Sequence, residues 1–166
     1  AAFIETKSFP AVIGLLGKEV DFSQNLAELG AQMGRSVCWI DTRFSPGKRE
    51  EAGLLQVLEG HLLEPPILKR GAAHYIGPGG YTPFGSEKLQ SSSFLALLEK
   101  LKSRYDWILL TNAAPLDSAE ARSFLKICDR IAISLRGEQI DLLTPFIFWA
   151  YDKEYCRLTF ITSEFS

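Results

Sequence analysis

Apolar runs of strand length alternate with amphipathic segments of helical spacing along most of the chain. The apolar runs predict six strands: 11–16 (AVIGLL), 36–41 (SVCWID), 73–77 (AHYIG), 106–110 (DWILL), 130–135 (RIAISL) and 156–162 (CRLTFIT). Strands that alternate with helices imply right-handed crossovers and a sheet covered on both faces. We therefore predict an α/β fold, a three-layer α/β/α arrangement with a mainly parallel sheet.

The segments between these strands predict five helices. They are one capped by Asp21 and ended by Gly34, one over about 50–59, one over 91–105 and capped by a serine, one capped by Asp117 or Ser118 and running to Cys128, and one over 138–151. In the first, Phe22, Leu26, Leu29 and Met33 are predicted to form the buried stripe. Residues 61–72 are predicted to be irregular because they contain Pro65-Pro66, and residues 78–85 form a predicted glycine-proline loop.

The composition is that of one ordinary globular domain, which we assign to residues 1–166. Hydrophobic residues make up 46% of the chain and charged residues 23%. The net charge is -2 and no basic stripe is present, so we expect no nucleic-acid partner. Cys38, Cys128 and Cys156 are widely spaced, which favours free thiols in a reducing compartment and no metal site. The first strand begins soon after Ala1, which suits a piece of a longer protein.

The turn after the first strand contains Gly17-Lys18, as a phosphate-binding loop would. Such a loop has the pattern GxxxxGK[ST], in which glycines expose backbone amides, the lysine neutralises phosphate and the hydroxyl binds Mg²⁺. Here Glu19 replaces the hydroxyl, and Val12 stands where the first glycine belongs. We therefore interpret this segment as a tight strand-to-helix turn.

Two further strand ends are candidate ligand sites, because ligands of such sheets bind at the carboxyl ends of strands. Asp41 ends the second strand and is followed by Arg43; its simplest role is to cap the turn that follows. Thr111 follows DWILL, where an NTPase of this type has an acidic residue, and the next carboxylate is Asp117. His61 and His74 have no acid or nucleophile near them in sequence, so we identify no catalytic residue.

The order of elements, together with several motifs, resembles the cytoplasmic kinase domain of bacterial tyrosine kinases (BY-kinases). These belong to the MinD/ParA-like branch of P-loop proteins, which has deviant Walker motifs. The similar segments are 25–44 (NLAELGAQMGRSVCWIDTRF), 53–60 (GLLQVLEG), 74–80 (HYIGPGG) and 89–121 (LQSSSFLALLEKLKSRYDWILLTNAAPLDSAEA). The resemblance covers about residues 10–136 and implies a P-loop NTPase-like fold.

The chain departs from that family's pattern at the positions of the nucleotide site. Without a gap, Lys18 falls on the family's P-loop Gly and Glu19 on its Lys. With a one-residue gap, Gly17-Lys18 match the family, but Glu19 and Val20 still replace its Ser/Thr pair. Asp41 matches the first Asp of the motif called Walker A′, whereas Arg43 replaces the second, and Thr111 replaces the Walker B Asp. A tyrosine-rich tail and a Glu-x-x-Arg-x-x-Arg oligomerisation motif are missing from this sequence. We interpret these positions as a degenerate site that holds neither a cofactor nor a metal.

Three functions remain open at this point. The first is an inactive BY-kinase-like domain, a pseudokinase, acting as an interaction or regulatory module in exopolysaccharide or capsule biosynthesis or export. The resemblance implies a cytoplasmic place at the bacterial inner membrane, and as partner a membrane-bound chain-length or export protein, a fused membrane domain or a homo-oligomer. The second is an active kinase or NTPase that binds ATP and Mg²⁺ through Lys18, Asp41 and Asp117. The third is a MinD/ParA-like regulatory domain in another process.

Overall fold

The structure is a computed structural model that describes residues 10–17, 20–46, 51–135 and 157–162. Within these ranges the strands are β1 Ala11–Leu16, β2 Val37–Asp41, β3 Leu68–Arg70, β4 Ala73–Ile76, β5 Trp107–Asn112, β6 Arg130–Leu135 and β7 Arg157–Thr162. The helices are α1 Val20–Gln32, α2 Leu54–Leu58, α3 Gly85–Leu89, α4 Ser92–Lys102 and α5 Ala119–Ile127. The strands predicted over 11–16 and 130–135 are confirmed to the residue.

One sheet of seven strands contains all the described strands, in the order β3-β4-β2-β5-β1-β6-β7. Every neighbouring pair is parallel except β3 and β4, which are antiparallel. The central strands β1, β2 and β5 are buried along their whole length, as expected of parallel strands covered on both faces. The prediction of a mainly parallel sheet is confirmed.

Alternate side chains of the strands point to opposite faces of the sheet and pack into two separate cores. On one face, α1 covers a core that includes Trp39, Trp107 and Leu109. On the other face, α2, α3, α4 and α5 cover a larger core that includes Phe94 and Phe124. Helices on both faces of the sheet make the three-layer α/β/α arrangement that the alternation of elements predicts.

Serine side chains cap two of the helices. Ser91 Oγ accepts a hydrogen bond from Phe94 N at 3.2 Å, and Ser118 Oγ accepts one from Ala121 N at 3.2 Å. These caps confirm the predicted serine cap of the third predicted helix and settle the choice between Asp117 and Ser118. The predicted cap at Asp21 is wrong, because α1 already begins at Val20 and so includes Asp21.

The buried stripe of α1 differs from the predicted one. Leu29 and Met33 are exposed, whereas the helix buries four positions at helical spacing: Ser23, Leu26, Ala27 and Gly30. The reason is the bulk of Trp107 beneath the helix, since a Cβ at Gly30 would lie 2.4 Å from the indole ring. Small residues therefore face the sheet, and the larger apolar residues are displaced toward solvent.

Two short elements were not predicted, one inside a segment predicted to be irregular and one that begins where a predicted loop ends. β3 falls within 61–72 and returns to β4 through a two-residue turn in which Gly71 has φ +62°. A glycine supplies this backbone geometry at little cost, so three residues can pair as a hairpin although they lack β-branched side chains. The second element is α3, whose first residue, Gly85, ends the predicted loop over 78–85.

Several predictions fall outside the described residues. They concern the helix over 138–151, Cys156, Lys18 and Glu19. Of the described cysteines, Cys38 is a buried free thiol, as predicted, and Cys128 is also buried. Among the described helices, none is long and apolar enough to cross a membrane.

Candidate functional site

The sheet has a topological switch point between β1 and β5. The chain leaves β1 through α1 on one face, and it leaves β5 through α5 on the other face. In open α/β sheets the ligand crevice lies outside the carboxyl ends of strands at such a point. Gly17 and Asn112 meet there, where Gly17 N donates a hydrogen bond to Asn112 O at 3.0 Å. The candidate site is therefore the set of residues that end β1, β2 and β5.

Asp41 ends β2 and is 1% exposed. Its carboxylate binds the guanidinium of Arg43 through both oxygens, with Arg43 Nε 2.8 Å from Oδ1 and Arg43 Nη2 2.6 Å from Oδ2. Arg43 N also donates to Oδ1 at 3.0 Å, which is the turn-capping role predicted for Asp41. The hydrogen bonds to Asp41 raise the pKa of Arg43 above its usual value. A positive charge thus already occupies the side of the carboxylate that a cation would use.

Tyr75, on β4, supplies a third side chain to this carboxylate. Its hydroxyl donates to Asp41 Oδ2 at 3.3 Å, and its ring packs edge-on against Trp39 with centroids 4.8 Å apart. Burial, followed by the negative charge of Asp41, raises the pKa of Tyr75 to about 12. The tyrosine therefore stays neutral at any physiological pH, and its hydroxyl donates a hydrogen bond to Asp41.

Thr111 lies inside β5 and not in the loop after it, because β5 continues to Asn112. The predicted strand end at residue 110 was therefore two residues short. Thr111 Oγ1 accepts a hydrogen bond from the Trp39 indole at 2.7 Å, and it is buried at 2% exposure. The Thr111 hydroxyl thus serves the packing of a neighbouring tryptophan.

Asn112 is a site residue that the sequence reasoning missed. Its amide nitrogen lies 3.0 Å from Thr42 Oγ1 and 3.0 Å from Glu120 Oε2, and its Oδ1 accepts from Ala114 N at 2.7 Å. The amide therefore ties the ends of β2 and β5 to the first turn of α5. A polar Thr-Asn pair at the end of an apolar strand was the available signal.

The remaining predicted positions belong to the turn after β1. Gly17 has φ +150°, and a Cβ on it would lie 2.7 Å from Ser134 Cβ at the end of β6. A glycine is needed for this close approach of two strand ends, as the interpretation of a tight turn requires. Lys18 and Glu19 lie outside the described residues.

The site brings together Asp41, Arg43 and Thr111, with Tyr75 and Asn112 as unforeseen members. Asp117, named in the active alternative, is exposed in the turn before α5. Within the described ranges, no three His, Cys, Asp or Glu side chains are grouped so that they could hold a metal ion. Asp41 is the one buried carboxylate among the described predicted positions, and Arg43 already binds both of its oxygens.

Solved structures similar to this chain include kinase domains and a cell division ATPase. The VpsO kinase domain matches with a TM-score of 0.79 and 19% identity, over 94% of this chain and 86% of that chain. The kinase domain of Escherichia coli tyrosine kinase ETK matches with a TM-score of 0.72 and 18% identity, over 94% and 69%. The cell division ATPase MinD of Pyrococcus furiosus matches with a TM-score of 0.65 and 15% identity, over 92% and 71%.

No protein-family model matches the chain, and no curated protein matches its sequence. At these identities the likeness shows the fold, which is the P-loop NTPase-like fold of the BY-kinase domains and MinD ATPases. The predicted fold class and the resemblance are thus confirmed at this level. Function has to be argued from the site, because one fold carries many activities.

Proposed function

We propose that the chain is a non-catalytic BY-kinase-like domain, a pseudokinase, that works as an interaction or regulatory module. The fold likeness supports the frame of this proposal, and the contacts of the site support the loss of catalysis. The setting, exopolysaccharide or capsule biosynthesis or export, is taken from the resemblance to BY-kinases.

The observation that carries the proposal is the bidentate pair of Asp41 and Arg43. A nucleotide site of this fold needs acidic oxygens that are free to order Mg²⁺ and its waters. In this chain, the carboxylate at the end of β2 accepts three nitrogen donors from Arg43 and lies within reach of Tyr75. Freeing it would leave a buried carboxylate and a partly buried guanidinium unpaired, which costs several kcal/mol, of order 3–5 kcal/mol for a fully buried pair.

The end of β5 supports the same conclusion. Thr111 cannot supply a charge, and its hydroxyl is already hydrogen-bonded to Trp39. Asn112, the next residue, uses its amide to hold Thr42 and Glu120. Because residues of a catalytic site act as one unit, changes at both strand ends together leave little activity to expect.

The proposed partner is a membrane-bound chain-length or export protein, or a membrane domain fused to this chain, and self-association is a further possibility within the proposal. The proposed location is the cytoplasmic side of the bacterial inner membrane. In this setting the domain acts by binding a partner through its surface and not by catalysing a reaction. No cofactor is expected under the proposal.

The test is an assay of ATP hydrolysis and tyrosine autophosphorylation with radiolabelled ATP and Mg²⁺. Wild type and Asp41→Asn are assayed side by side, so that a contaminating ATPase gives the same signal in both. We expect both proteins to stay at the level of the blank. Activity in the wild type that Asp41→Asn removes would refute the proposal.

The second candidate function is an active kinase or MinD/ParA-like NTPase with a rearranged site. It is favoured by the fold, since a MinD structure of this fold is complexed with Mg-ADP. This candidate requires Mg²⁺-dependent nucleotide binding that Lys18→Ala weakens. If Lys18→Ala leaves a measured affinity unchanged, the candidate fails.

A further inference from the structure

The strand β3 forms one edge of the sheet, and the segment that leads into it carries exposed apolar side chains. In the described part of the chain it has a single neighbour, β4. Four large apolar side chains within seven residues are exposed: Leu62 at 38%, Leu63 at 97%, Ile67 at 37% and Leu68 at 47%. Together with Lys69 and Arg70 we call these residues the β3 edge surface. An edge strand offers unpaired backbone groups to an extended segment of another chain.

Side chains on one face of this strand border a cleft. Because side chains alternate along an extended chain, Pro66, Leu68 and Arg70 share a face, and all three line a cavity of about 120 Å³. Tyr75 and the backbone of residues 77–80 form much of the remaining wall. The cleft therefore offers apolar surface and backbone polar groups beside the strand edge, which suits a side chain of an added strand.

The charge of the β3 edge surface is positive. The guanidinium of Arg70 stacks on the Tyr75 ring with Cζ 4.2 Å from the centroid, so it is held in place beside the cleft. Among the described residues neither Lys69 nor Arg70 takes part in an ion pair. Glu64 is shared by Lys100 and Arg104, so cations outnumber carboxylates there too. The opposing charges are Glu51 on the cleft wall and Glu28 beside the turn at Gly71.

This charge argues against a second copy of the chain as the occupant. Antiparallel pairing of β3 with itself would bring Lys69 and Arg70 of one copy against the same residues of the other. Like charges opposite each other destabilise a strand pair, and lysine on an edge strand is a common protection against self-association. A segment that carries carboxylates is attracted by Lys69 and Arg70 instead of being repelled by them.

We propose that the β3 edge surface binds an extended, acidic and apolar segment of a partner protein, which adds to the sheet as a strand beside β3. Apolar side chains on one face of that segment pack on Pro66 and Leu68 in the cleft, and carboxylates on its other face meet Lys69. The positive charge of Arg70 beside the cleft attracts the same carboxylates at longer range. Backbone pairing provides part of the affinity, and the pattern of charges provides the selection. The inference stands apart from the proposed loss of catalysis, because a nucleotide-binding chain could carry the same edge.

The test is an NMR titration of the labelled chain with a short capped peptide in which valine alternates with aspartate. We expect amide shifts at residues 67–71 and at the cleft residues 77–80, with a dissociation constant below about 1 mM. A peptide with lysine in place of aspartate should cause no such shifts. Added salt should weaken binding, because the charges involved are exposed.

Charge reversal identifies the surface. Lys69→Glu combined with Arg70→Glu should weaken binding by roughly tenfold or more, because each cation becomes repulsive. The matched control reverses two exposed cations on α5, Arg122→Glu with Lys126→Glu, and should leave binding unchanged. Lys69→Glu alone keeps the stacking of Arg70 on Tyr75 and serves if the double variant does not fold.

Three outcomes would overturn the inference. The first is the absence of shifts at residues 67–71 with the aspartate peptide at about 1 mM. The second is equal binding of the lysine peptide. The third is a concentration-dependent dimer whose shifts fall on residues 67–71, which would make a second copy the occupant. None of these results depends on nucleotide, so failure here and failure of the proposed function are distinguishable.

Discussion

The pair of Asp41 and Arg43 shows how two residues can change what a strand end does. Asp41 is buried, so its negative charge needs a positive partner. Arg43, two residues later in the chain, provides that positive charge. The fork of a guanidinium matches both carboxylate oxygens, and a bidentate pair of this kind is stronger than a single hydrogen bond. The pair is therefore a structural element of the turn, and its removal should be felt as lost stability.

Replacing Arg43 should destabilise the fold. Arg43→Leu leaves the Asp41 carboxylate buried with Tyr75 as its remaining side-chain donor, and we expect a loss of about 2–4 kcal/mol in the free energy of unfolding. Urea unfolding followed by circular dichroism measures it. Asp41→Asn in the Arg43→Leu background should recover part of the loss, because the unpaired charge is gone.

The matched control is Lys126→Leu, which removes an exposed cation from α5 and should cost less than about 0.5 kcal/mol. If Arg43→Leu costs no more than this control, the pair contributes nothing to the fold, and the site account loses its main support.

Cys38 should be chemically inert in the folded chain. It is fully buried, and this burial raises its pKa to about 12. Since the thiolate is the reactive form, the thiolate fraction at about pH 8 is very small. We expect iodoacetamide to leave Cys38 unmodified in the native protein and to alkylate it in urea, as measured by peptide mass spectrometry. Rapid alkylation in the native protein would mean that β2 is accessible to solvent.

At the scale of elements, the loop after β4 fastens the short helix α2 to the sheet. Leu54 N donates to Gly77 O at 2.8 Å, and Leu55 N donates to Pro78 O at 2.9 Å. The Gln56 side chain accepts from Gly53 N and donates to Gly79 O, both at 2.7 Å. The first N–H groups of α2 are thus satisfied by the loop, which is why a helix this short holds its place.

Glycine substitutions should reveal this contact. Gly79 has φ +82°, and a Cβ there would lie 2.2 Å from Gln56 Oε1, whereas Gly60 has φ +79° and open space around it. Gly60→Ala therefore pays for backbone strain alone, about 1 kcal/mol, and Gly79→Ala should cost about 1–3 kcal/mol more. Urea unfolding compares the two variants. Equal losses would show that the loop and α2 are not in close contact.

The longer elements could be predicted from the sequence, because their signals are local. The apolar runs over 11–16 and 130–135 match β1 and β6 without error. β3 could not be predicted in this way, since its pairing depends on the turn at Gly71 that returns the chain against β4. The stripe predicted for α1 was only partly right, because it depends on the size of Trp107 beneath the helix.

The site was predictable to the same extent. The turn-capping role of Asp41 followed from the sequence, because the Arg43 amide is two residues away. The bond between Trp39 and Thr111 joins positions 72 residues apart, and the bond between Tyr75 and Asp41 joins positions 34 residues apart. Such contacts follow from strand order and register, which hydrophobic patterning does not specify.

At the scale of the whole molecule, the chain keeps the architecture of a nucleotide-binding domain while the described residues of its crevice bind one another. The ends of β1, β2 and β5 meet at the switch point of the sheet, where a ligand would lie. The carboxylate, hydroxyl and amide there are engaged by Arg43, Trp39 and Glu120. On this account the molecule's function lies in its outer surface, with the β3 edge surface as the leading part.

The measurement that tests this account most directly is calorimetric titration of the purified chain with ATP and ADP, with and without Mg²⁺. We expect no heat of binding up to about 1 mM nucleotide, and no thermal shift at the same concentration. Mg²⁺-dependent binding in the micromolar range would contradict the account, because it would require a working phosphate site at the turn after β1 and a carboxylate free of Arg43.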